Sequence, residues 1–82
     1  MKAIVTVALK EGVLDPEAKA ITHALAGLGF EGVREVRTAR VFELDLAETD
    51  AARARESAEA MGRRLLANTV IERFAVRLEG EP

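Results

Sequence analysis

Apolar and polar positions alternate as soon as the chain begins. In "KAIVTVAL", Ala3, Val5, Val7 and Leu9 fall on one side of an extended backbone, and Lys2, Ile4, Thr6 and Ala8 on the other. The residues are largely β-branched, so the segment predicts a strand. Its second side is only half polar, so Ile4 and Ala8 are candidates for an interface. The period then changes. In "LDPEAKAITHALAGLG", Ala18, Ile21, Leu25 and Leu28 recur at helical spacing and predict one buried stripe. Both helix ends are marked. Asp15 suits the N-cap, where its carboxylate accepts from otherwise unpaired N–H groups, and Pro16 suits the first helical position. Gly29 stands where a left-handed residue ends a helix, with Phe30 placed to touch Leu25.

Period two returns in "VREVRTARVFELDLA", which predicts a long strand. Phe42, Leu44 and Leu46 form its dry side, and Glu43 and Asp45 its wet side. Counting back by twos puts Arg40 on the dry side, so a bend or bulge is expected near Ala39 and Arg40. The segment "ETDAARARESAEAMGRRLLAN" predicts a second helix capped by Thr49 or Asp50. Its stripe is Ala51, Ala54, Ala58, Met61 and Leu65, and Asn68 would take a left-handed stop. "VIERFAVRL" predicts a last strand with Phe74, Val76 and Leu78 inward, and "EGEP" a fraying tail. The order β-α-β-α-β leads to a two-layer α+β fold. About three antiparallel strands, the second long and bent, carry two helices on one face, and the chain oligomerises through the sheet. With 82 residues, one domain spanning 1–82 is expected.

The glycines of "AGLGFEGV" match G-x-G-x-x-G, the pattern of a dinucleotide-binding loop. That loop works because a strand enters it and a helix leaves, so that the helix N-terminus holds the phosphates. Here a helix enters and a strand leaves. The glycines then lie at a helix C-terminus, whose partial negative charge repels phosphate. They read as a helix stop.

Composition narrows the chemistry further. The chain has no cysteine and one histidine, which excludes thiolate metal sites and a histidine cluster. Net charge is −2, with 12 basic and 14 acidic residues, and three phenylalanines are the only aromatics. A nucleic-acid binder would show a basic excess and stacking aromatics. The apolar run at the amino terminus is short and alternating, without a cleavage site, so the chain reads as a cytoplasmic protein rather than a secreted or membrane one. His23 lies off the apolar stripe and reads as a surface residue. Glu43 and Asp45 share a strand face that reads as solvated. No catalytic, cofactor-binding or metal site is expected. Arg37 and Arg40, flanking the expected bend, are candidates for an interface.

Several segments together resemble one family. "KEGVLDPEAKAI", "HALAGLGFEGV", "VRTAR" and "LLANTVIE" follow one another as in PurS, the small subunit of phosphoribosylformylglycinamidine synthase. The likeness covers nearly the whole chain. There are departures: the family pattern resembles V-R-x-G-K where this chain has Ala39 and Arg40, and it often has proline before "VIE" where this chain has Thr69. The resemblance implies a non-catalytic subunit in purine biosynthesis. It would bridge a large ATP-dependent (PurL-like) synthase subunit and a glutaminase (PurQ-like) subunit and support ammonia transfer between them. ATP and magnesium would belong to the large subunit, with no cofactor in this chain. A homodimer or a dimer of dimers is expected. The alternative from another class is a regulatory α+β domain that binds an amino acid at a dimer interface.

Overall fold

A computed structural model describes residues 1–80. The elements are β1 (Lys2–Leu9), α1 (Pro16–Gly27), β2 (Ala39–Asp45), α2 (Ala51–Met61) and β3 (Glu72–Leu78). The strands form one antiparallel sheet in the order β2-β1-β3. β1 is therefore central, and β2 and β3 are both edges. Of the expected tail, Glu79 is tied back to the sheet, its N–H donating to the Lys2 carbonyl at 2.9 Å. Residues 81 and 82 lie outside the described residues.

The alternation in β1 becomes burial. Ala3, Val5 and Val7 are at most 1% exposed, while Ile4, Thr6 and Ala8 are intermediate. The buried side meets Ala54 and Ala58 of α2, together with Ala67 and Leu78. Alanine has almost no side chain to hold the layers apart, so α2 lies close on β1 and β3.

The expected stripe on α2 is buried at Ala54 and Ala58 but not at Ala51, which is exposed in the first turn, and it changes again beyond Ala58. Residues Gly62–Leu66 form a π turn, which inserts an extra residue and rotates the side chains after it around the helix axis. Gly62 is buried against the Phe74 ring, whereas Leu65 is 83% exposed and Met61 39%. The helix ends with Ala67 in extended conformation. Asn68 does not turn left-handed; its side-chain oxygen accepts from Val70 N–H at 3.2 Å.

β2 is shorter than the alternation predicts and holds no bulge. Its pairing with β1 runs residue for residue from Lys2↔Asp45 to Ala8↔Ala39. The β1–β2 ladder stops at Ala8↔Ala39, and side-chain bonds hold Arg37 and Thr38 before it.

The helices do not share one face equally. α2 lies on β1 and β3, but neither helix lies across β2, and α1 stands off from the sheet. Its expected stripe is buried only at Ala18: Ile21 is 37% exposed and Leu28 74%. The molecule is elongated as a result, 48 × 28 × 16 Å with a radius of gyration of 16.0 Å. A compact chain of this length would have about 12 Å.

Candidate interaction surfaces

The end of the sheet where β1 finishes gathers several charged side chains with defined partners. Arg37 lies in the loop before β2 and is held by Glu11 and by Glu35, the latter at 2.8 Å. These two carboxylates push the guanidinium pKa up, hydrogen bonding to Glu11 contributing most. Beside it, Thr38 Oγ1 donates to Asp15 Oδ2 at 3.0 Å. The other Asp15 oxygen accepts from Ala18 N–H at 3.0 Å, which caps α1. These bonds hold the Asp15 carboxyl below the usual aspartate value, the Ala18 N–H having the largest effect. Pro16 occupies the first helical position, where no N–H is needed.

Arg40 belongs to β2 and faces the same side of the sheet as Phe42. The strand does not re-aim it; its position does. It sits at the end of the sheet, where the side chain lies over the Phe42 ring (5.6 Å to the centroid) and crosses β1 to Glu72 at 3.1 Å. Burial is avoided by reaching outward, so no bulge is needed. Glu72 is the more enclosed partner and also accepts from Asn68 N–H at 2.8 Å. That contact was not legible in the sequence, because the pair is 32 residues apart.

Ile4 and Ala8 lie on the opposite side of the sheet. There Ile4 is flanked by Glu43 and Arg77, Thr6 by Val41 and Ala75, and Ala8 by Ala39 and Arg73. An apolar strip thus runs between an acidic β2 edge and a basic β3 edge, and Val41 within it is 61% exposed. The four candidate interface residues therefore divide: Arg37 and Arg40 at one end of the sheet, Ile4 and Ala8 on its second face. His23 is exposed on α1.

The C-terminus of α1 is built as a helix stop. Gly29 has φ +98°, its N–H donates to the Ala26 carbonyl at 3.0 Å, and the Phe30 N–H donates to Leu25 at 2.9 Å. This Schellman pattern turns carbonyls, not N–H groups, toward the glycines, so the G-x-G-x-x-G spacing presents no anion cradle. Among the described residues no cluster of His, Cys, Asp or Glu could hold a metal ion, and no helix is long and apolar enough to cross a membrane.

Comparison with known proteins decides the family. Residues 2–80 match the family model for PurS, described as phosphoribosylformylglycinamidine (FGAM) synthase. The chain belongs to the PurS family. The phosphoribosylformylglycinamidine synthase subunit PurS of Archaeoglobus fulgidus is 45% identical over 80 residues, covering 93% of this chain and 95% of the relative. That of Methanocaldococcus jannaschii is 38% identical, covering 95% and 94%. The crystal structure of the M. jannaschii PurS superposes with a TM-score of 0.87 over 99% of this chain and 98% of that one. A chain of the Thermotoga maritima PurLQS structure superposes with a TM-score of 0.86, at 25% identity and 94% coverage of each. PurS is a subunit of FGAM synthase in purine biosynthesis.

Proposed function

We propose that this PurS-family chain is a non-catalytic, cytoplasmic subunit of FGAM synthase, joining the ATP-dependent synthase subunit to the glutaminase subunit and supporting ammonia transfer between them. The observation that carries this reading is the match, over 94% of each chain, to a component of the T. maritima PurLQS structure. A chain that superposes end to end on one component of an assembly has the shape to occupy that component's place. The reading assigns ATP and magnesium to the large subunit and no cofactor to this one. It also assigns interface roles to Arg37, Arg40, Ile4 and Ala8 in a complex that contains two or more copies of this chain.

Reconstitution tests it. The large subunit and the glutaminase are assayed with and without this chain, once with glutamine and once with ammonia as nitrogen source. Glutamine-dependent amidation should require the chain, and ammonia-dependent amidation should require it less, because a connector matters most when ammonia is handed across. Charge reversal at Arg37 or Arg40 should weaken assembly. Unchanged glutamine-dependent turnover in its absence would overturn the connector role.

A further inference from the structure

Residues 61–71 join α2 to β3 and leave four apolar side chains in solvent: Leu65 is 83% exposed, Val70 81%, Ile71 40% and Met61 39%. Single exposed apolar residues are ordinary, but four gathered in one short stretch mark a contact surface. The π turn over Gly62–Leu66 is what aims Leu65 outward, since a regular helix would have carried it on in line with Ala54 and Ala58. Such insertions in helices concentrate at functional sites.

The surface is held still from beneath. Ala67 N–H donates to the Gly62 carbonyl at 2.9 Å and closes the π turn. Asn68 ties the turn that follows. Its carbonyl accepts from Ile71 N–H at 3.1 Å and from Glu72 N–H at 2.7 Å, and its side chain accepts from Val70 N–H at 3.2 Å. Lys10 N–H donates to the Ile71 carbonyl at 2.9 Å, which fixes the turn to the end of β1. Side chains shown on a backbone already ordered lose less entropy on binding.

The charge here is one-sided. Residues 61–71 include Arg63 and Arg64 and no acidic residue, in a chain whose net charge is −2. Both arginines are exposed, and neither forms an ion pair among the described residues. Arginines at the end of a helix suit its negative dipole, but that accounts for neither Leu65 nor Val70. A two-fold contact between copies through this surface would set the arginines of one copy against those of the other, and like charges oppose it. The occupant that fits is a different protein, with an apolar hollow for Leu65 and Val70 and carboxylates at its rim for the arginines. The ATP-dependent synthase subunit serves amidation with either nitrogen source and is the constant partner, and an apolar anchor suits a lasting contact.

We infer, on the connector reading, that residues 61–71 dock this chain on the synthase subunit: Leu65 and Val70 enter an apolar hollow of that subunit, and Arg63 and Arg64 meet carboxylates around it.

The full-length chain is titrated into the purified synthase subunit. The wild type is compared with two double variants, Leu65→Ser with Val70→Ser, and Arg63→Glu with Arg64→Glu. Because these side chains are exposed, the unfolding midpoint and the copy number from light scattering should stay as in the wild type. Each double variant should raise Kd by about tenfold or more, and wild-type binding should weaken as salt is added. The chain has no cysteine of its own, so a benzophenone maleimide attached at Leu65→Cys gives a readout that needs no loss of binding. It should crosslink to a synthase peptide that contains Asp or Glu. Wild-type binding with an unchanged Kd in either double variant would overturn the inference and leave the connector reading standing. No binding by the wild type would overturn both. Crosslinking only to a second copy or to the glutaminase would overturn the docking site, as would wild-type binding to phosphatidylglycerol vesicles but not to the synthase subunit.

Discussion

A Cβ built on Gly62 would lie 2.6 Å from Cε2 of Phe74. The π turn and the last strand are thus packed through a position where only hydrogen fits, and the ring is an inward residue of β3 that cannot retreat without opening the core. Gly62→Ala should lower stability by about 1–3 kcal/mol through overpacking, offset by up to about 1 kcal/mol of helix propensity. Urea unfolding should show a lower midpoint. Adding Phe74→Leu, which shortens the opposing side chain, should recover part of the loss.

Gly29 and Gly27 should respond oppositely. At φ +98° Gly29 is in a region that side chains rarely adopt, so Gly29→Val should cost at least about 1–2 kcal/mol. Gly27 is the last residue of α1, with nothing within 4 Å of an added Cβ. Gly27→Ala should be neutral or slightly stabilising, by less than about 1 kcal/mol. Thermal unfolding of both variants checks the contrast.

The Asp15 cap should make α1 acid-sensitive. Its carboxyl is held below the usual aspartate value of 3.8 by the Ala18 N–H and by Thr38. A lowered native value means the folded state prefers the ionised form. The stabilisation is therefore present in full above 3.8 and is lost as pH falls through the native value. Carboxyl-carbon NMR should find Asp15 titrating below a free aspartate. The stability difference between the wild type and Asp15→Asn should shrink as that proton is taken up.

The two halves of the Arg40–Glu72 pair should not be equivalent. Arg40 is mostly exposed, so Arg40→Ala should cost no more than about 1 kcal/mol and less in high salt. Glu72 also accepts from the Asn68 N–H, and Glu72→Ala would leave that donor without its carboxylate as well. Its cost should exceed that of Arg40→Ala by about 0.5–1.5 kcal/mol. A double-mutant cycle read by chemical denaturation separates the two contributions.

Local signals carried much of this structure. The strand β1 is legible because period two alone sorts Ala3, Val5 and Val7 from Ile4, Thr6 and Ala8. The ends of α1 are legible because capping chemistry is confined to neighbouring residues, as in Asp15 with Ala18 and Gly29 with Phe30. The family, too, is carried by the residues themselves. Tertiary structure decided the rest. Where β2 begins depends on its pairing with β1, since a ladder needs two strands. Whether Leu65 points inward depends on the π turn, a change of period that a helical repeat does not announce. How Arg40 escapes burial depends on Glu72, 32 residues away. Above all, periodicity states that the α1 stripe must be covered but not by what: Ile21, Leu25 and Leu28 are sorted onto one side by the sequence, and only the distance of α1 from the sheet leaves them bare.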